Sequence, residues 1–151
     1  MYIIVTKDEE LLQHANKCGA SIFEASQISG LAVRTEHQET EEHKIHQFMM
    51  KMAIKPNLAG YDYIKYIMKK CMEDPTYHRN PLFKCVYADC ACHFKTEPQH
   101  VERGIRHALY VGFKAAPEIY SEMFSMDMKS KPNNGEFISM GSVYLTNYTH
   151  N

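Results

Sequence analysis

The stretch KTEPQHVERGIRHALYVGF, residues 95–113, decides the fold. Val101, Ile105, Ala108, Leu109 and Gly112 recur at steps of four, three, one and three, which aligns them along one side of an α-helix. Gln99, Arg103, Arg106 and His107 project from the other side, with His100 and Glu102 flanking them. Pro98 suits the first helical turn, where its missing N–H would have had no acceptor within the helix. Thr96 and Gln99 have the spacing of a capping box, so the helix is expected over about 97–113, starting sharply after a turn. Upstream, Cys90, Ala91 and Phe94 form the buried side of a preceding helix, with a small residue where the second helix must come close. Together they fit a helix-turn-helix at about 83–113. Lys95 stands where a turn glycine is common, so the turn by itself is not diagnostic.

The polar side of the second helix fits a nucleic-acid-reading face, and on periodicity alone it fits an ordinary surface helix equally well. A solvated helix typically carries a lysine and glutamate mixture, whereas this face combines arginine with glutamine, glutamate and histidine. Arginine can donate a two-pronged fork to guanine O6 and N7, and glutamate can accept from cytosine N4. Arg106 and His107, farther along, are better placed for phosphates. The formal net charge is only −1, so any affinity for DNA must come from a local surface and not from global charge.

Outward from this motif the chain reads as helical. Ile45, Phe48, Met49 and Met52 fall at i, i+3, i+4 and i+7, and Ile64, Ile67, Met68 and Cys71 repeat the pattern after a break at Pro56 to Gly60. A loop from Asp74-Pro75 to Asn80-Pro81 leads to a third helix expected over Leu82–Phe94. The first residues differ. Tyr2–Val5 favours a strand, Thr6 and Glu9 are spaced as a capping box, Gly19 suits a helix C-cap, and Ser21–Phe23 fits a second strand. Residues 34–44, RTEHQETEEHK, form an acidic linker running into a solvated first helical turn. The expected fold is mainly α, a helix-turn-helix-containing bundle of about six helices with a short β-α-β-like N-terminal extension. Residues 1–40 are read as extension and linker, and 41–151 as the helical domain.

Hydrophobic residues at 44% and charged residues at 23% are ordinary for a globular protein of 151 residues. The opening apolar run is too short for an export signal, and no run approaches membrane-spanning length. The reading is therefore cytoplasmic, with no membrane contact and five cysteines kept as free thiols.

The residues then reach a known family. VERGIRHAL at 101–109 closely resembles the VER-IRHA core of the C-terminal effector domain of the stage-zero sporulation protein A family, the response regulators that commit endospore-forming bacteria to sporulation. The likeness extends back through Val86-Tyr87, Asp89, Ala91 and Phe94. KPNNGEFISM at 131–140 resembles the family's K-P-x-N-x-E-F-I-A segment, after a Phe-containing stretch similar to Met123-Phe124. Pro56 and Gly60-Tyr61 resemble its Pro…Gly-Tyr pattern, one residue shorter here, so the likeness covers roughly residues 45 to 145.

This resemblance implies a transcription regulator of double-stranded DNA whose VER-IRHA helix enters the major groove. Glu102 and Arg103 become base readers, with Gln99 and His100 beside them, while Arg106 and His107 mainly hold the backbone. Gln99 and His100 stand where the family has a small hydroxyl residue and an arginine, so an identical operator preference does not follow. Lys129 and Lys131, in the loop before the EFI helix, are candidates for a flanking phosphate, the alternative being a simply solvated loop. The resemblance also implies a homodimer on tandem operator boxes, with Tyr144, Leu145 and Tyr148 as interface or core residues, and admits RNA polymerase as a partner. Only about 45 residues precede the likeness, less than half of what a phosphate-accepting receiver domain needs. The expectation is a regulator that is not switched by phosphorylation. The alternative is a non-activating relative, or a partner-docking protein, that competes with or pairs with a full-length regulator.

Cys85, Cys90, Cys92 and His93, with His78 upstream, are the candidate ligands for a zinc site. Structural zinc favours cysteine pairs on a turn, and here Cys90 and Cys92 face apart on a helix. No nucleophile motif, phosphate loop or carboxylate array suggests an enzyme. No metal, cofactor or catalytic residue is expected.

Overall fold

The computed structural model describes residues 40–149, which form six α-helices and, among the described residues, no strand. The proposed β-α-β extension lies outside the described residues. Helix α1, Glu41–Lys51, begins at Thr40, whose hydroxyl accepts a 3.2 Å hydrogen bond from the His43 N–H. Glu41 and Glu42 in its first turn and Lys51 in its last complement the helix dipole. Ile45, Phe48 and Met49 are buried along it, as their spacing predicts. The chain leaves α1 through Ala53 at φ 56° and restarts beyond Pro56 as α2, Ala59–Glu73. Helix α2 buries Ile64, Ile67, Met68 and Cys71, the expected face, and Gly60 and Tyr61 as well.

The single helix expected over Leu82–Phe94 is two pieces. A wide π-helical turn spans Leu82–Val86, and helix α3 follows at Tyr87–Phe94. The Pro81 carbonyl accepts from both Cys85 N–H (2.9 Å) and Val86 N–H (3.4 Å), which opens the first turn by one residue. That extra residue rotates the chain so that Val86 and Tyr87 enter the core while Phe83, Lys84 and Cys85 face solvent. Upstream, the 3-10 turn Tyr77–Arg79 is tied to α3 by the Tyr77 hydroxyl, which donates to the Asp89 carboxylate at 2.6 Å.

Helix α4, Pro98–Ala115, crosses α2 and packs on α3. Helix α5, Pro117–Phe124, follows directly, and α6, Asn134–Thr149, closes the bundle against α2, α4 and α1. The α2–α4 crossing is unusually close. A Cβ built on Gly60 would meet the Gly104 carbonyl, with its carbon at 2.7 Å, and the Ala108 Cβ at 2.8 Å. Only a glycine lets the two backbones approach this far. Phe48, Phe124, Phe137 and Tyr120 fill the centre with tilted and edge-to-face rings. The buried Tyr120 hydroxyl donates to the Met52 carbonyl at 3.0 Å, giving the α1 exit a partner across the core. Leu145 is buried, and the Tyr144 ring packs 5.5 Å from Phe48, so both belong to this core.

Candidate nucleic-acid interface

Helices α3 and α4 form the helix-turn-helix. Lys95 takes the left-handed conformation at φ 53°, which explains why a glycine is common at this position. Its neighbour Thr96 donates its N–H to the Ala91 carbonyl at 2.9 Å, closing α3. The expected Thr96–Gln99 capping box is absent. The N-cap is Glu97, with no side-chain cap, and Pro98 occupies the first helical position. The helix begins one residue later than that box required, because Pro98 fixes a helical φ and forces the preceding residue into extended backbone. Thr96 instead places its hydroxyl 3.1 Å from His100 Nδ1, a hydrogen bond across the start of α4.

The two faces of α4 separate as the sequence predicts. Val101, Ile105, Ala108, Leu109 and Gly112 are buried. Gln99, His100, Arg103, Arg106 and His107 are exposed, and Glu102 is partly so. His100, Arg103 and His107 stand at i, i+3 and i+7, one stripe, and Gln99 and Arg106 flank it. From Gln99 to His107 the helix rises about 12 Å, close to the width of a major groove.

One side-chain pair changes the electrostatics of this face. Arg106 donates from Nε to the Glu102 carboxylate at 3.0 Å and from Nη2 to the same oxygen, an i,i+4 ion pair. The hydrogen bonds and charge of Glu102 push the Arg106 pKa up, so the guanidinium stays charged. The other ion pairs among the described residues join Lys65 and Lys69 to Glu42, on a different surface. Arg103 therefore presents an unneutralised guanidinium in the middle of the exposed stripe.

The loop from α5 to α6 carries Lys129, exposed, and Lys131, partly exposed. It ends in a feature that sequence reading missed. Asn133 and Glu136 form a reciprocal capping box: Glu136 N–H donates to Asn133 Oδ1 at 2.9 Å, and Asn133 N–H donates to Glu136 Oε2 at 2.8 Å. The N-x-x-E spacing within KPNNGEF was the available signal. The next residue, Asn134, donates from Nδ2 to the Glu102 main-chain carbonyl at 3.0 Å, joining the start of α6 to the candidate reading helix.

The cysteines weighed for zinc divide between core and surface. Cys90 is buried while Cys85 and Cys92 are exposed, and no cluster of three metal-ligating side chains occurs among the described residues. His93 stacks on Tyr66 with ring centroids 4.4 Å apart. No helix among the described residues is long and apolar enough to cross a membrane.

A comparison with known protein families agrees with this geometry. The sequence profile described as "Sporulation initiation factor Spo0A C terminal" matches residues 45–145. That span holds α1 through α5 nearly entire and most of α6, with the whole helix-turn-helix inside it. The chain thus belongs to the family of the sporulation initiation factor Spo0A C-terminal domain, a helix-turn-helix family of DNA-binding transcription regulators and not of enzymes.

Proposed function

We propose that residues 41–151 form a sequence-specific DNA-reading domain, with α4 laid in the major groove and the regulator acting on transcription in the cytoplasm. The observation that carries this reading is the division of α4: its apolar stripe is wholly buried while Gln99, His100, Arg103, Arg106 and His107 stand exposed over its first half. In this reading Gln99, His100, Glu102 and Arg103 meet base edges, with Arg103 as the guanine-reading fork. Arg106, His107, Lys129 and Lys131 meet phosphates on either side. The Glu102–Arg106 pair supports a division of labour within the face. Glu102 has a second carboxylate oxygen to offer a cytosine amino group while its first is paired with Arg106.

The experiment is a titration over a range of salt concentrations, comparing a duplex carrying a family-type operator box with a scrambled duplex of equal length. A preference of about a thousandfold or more establishes specific readout. Equal, steeply salt-sensitive binding to both leaves phosphate contacts alone. Binding to neither duplex overturns the reading.

A further inference from the structure

We propose that Asn134, on a helix outside the helix-turn-helix, is a positioning residue for base reading: it fixes α4 against the start of α6 without touching DNA. This rests on the DNA-reading function proposed above. Asn134 is 8% exposed, and the helix cap beside it is completed by Asn133 and Glu136. Its amide Nδ2 reaches across to the Glu102 carbonyl on α4 at 3.0 Å. That carbonyl lies in the interior of α4, where the helix already supplies one donor, so the amide takes its second lone pair. Tyr87, the first residue of α3, is 3% exposed. Burial raises the Tyr87 pKa, the Asn134 amide opposes the rise, and the Glu102 and Arg106 charges act in opposite directions. Asn134 thus ties the start of α6 to the main chain of Glu102, the residue whose side chain pairs with Arg106 on the outer face of α4.

The geometry has a specific consequence. A base-reading fork must sit within a fraction of an ångström of its target, whereas a phosphate contact tolerates a longer reach by a flexible side chain. Losing the Asn134 link should therefore erode discrimination between sequences and leave the backbone contacts in place. The test uses the full chain with Asn134→Asp and Asn134→Ala. Asp keeps the size and suits a helix N-terminus, but sets an acceptor against the Glu102 carbonyl. Both variants are checked for folding by thermal unfolding, then titrated with operator and scrambled duplexes. The expected result is roughly a tenfold fall in the operator-to-scrambled affinity ratio, with the scrambled affinity and the salt slope unchanged. The Arg103→Ala loss of discrimination should also shrink in the Asn134→Ala background, since a misaligned fork has less to lose. A lowered unfolding temperature with the parent's affinity ratio would overturn the proposal, because Asn134 would then be a structural residue only. A parent that itself shows no operator preference overturns the DNA-reading function, and this inference with it.

Discussion

Replacing Gly60 by alanine tests whether the α2–α4 approach sets the framework of the reading helix. The new methyl group would lie 2.7 Å from the Gly104 carbonyl carbon and 2.8 Å from the Ala108 Cβ, with the Gly104 oxygen nearer still. Relaxing the 2.7 Å carbon contact alone needs the helices to part by roughly 0.7 Å, the nearer oxygen needs more, and neither obstacle is a flexible side-chain end. Overpacking of this kind costs about 1–3 kcal/mol. The alanine recovers at most about 1 kcal/mol of helix propensity, and less in a first turn. The net loss is about 1–2 kcal/mol, or a fall in Tm of roughly 5–10 °C for a domain of this size. Thermal unfolding followed by far-UV circular dichroism measures it directly. Gly104→Ala supplies the comparison, because its close contacts are to the edge of the Tyr63 ring, at 2.9 and 3.0 Å, while the nearest backbone atom, Gly60 N, lies at an ordinary 3.6 Å. Its change in Tm should be the smaller of the two. An unchanged or higher Tm for Gly60→Ala, or greater damage from Gly104→Ala, would refute the close-approach argument.

Three further outcomes are expected. Arg106→Ala should weaken binding to all duplexes alike and reduce the salt slope by about one, as read from titrations at several salt concentrations. Tyr120→Phe keeps the ring packing but strips the Met52 carbonyl of its donor in the core, so denaturant unfolding should show a loss of about 1–3 kcal/mol. Mass-mapped alkylation should label Cys85 and Cys92 in the folded protein and reach Cys71 and Cys90 only after unfolding. Burial pushes the Cys71 thiol up to about 11 and the Cys90 thiol up to about 12, from an ordinary value near 9. The folded state therefore holds protons that the unfolded chain releases first. The contribution of these thiols is intact below pH 9 and is lost as pH rises through the range from 9 to about 12, which urea midpoints across that range would reveal.

The parts of the fold that follow local periodicity were legible in the sequence. Ile45 to Met52, Ile64 to Cys71 and Val101 to Gly112 each show the helical repeat that burial demands, and each is buried in the structure. Features set by backbone hydrogen bonding were not. Nothing in LFKCV announces a π-helical turn, because the turn depends on how the Pro81 carbonyl is shared between two donors. Among the described residues Thr96–Gln99 and Asn133–Glu136 both have capping-box spacing, and of these the second forms. The difference lies in Pro98, which moves the N-cap to Glu97. The Asn134 link to Glu102 spans 32 residues, so no local pattern could signal it. Most of the exposed face of α4 was legible from the same periodicity that identified its core. The Glu102–Arg106 pair was visible as an i,i+4 spacing, but its formation depends on the rotamers that the folded surface permits.

The central claim, that α4 reads the major groove through Arg103, is tested most directly by a missing-contact footprint. Operator duplexes sparsely methylated at guanine N7 are partitioned by the parent and by Arg103→Ala, and the guanines whose methylation blocks binding are mapped. The account predicts interference at several guanines with the parent, and the disappearance of that interference at one of them with Arg103→Ala. Interference at no guanine, or an identical pattern for the two proteins, would contradict it.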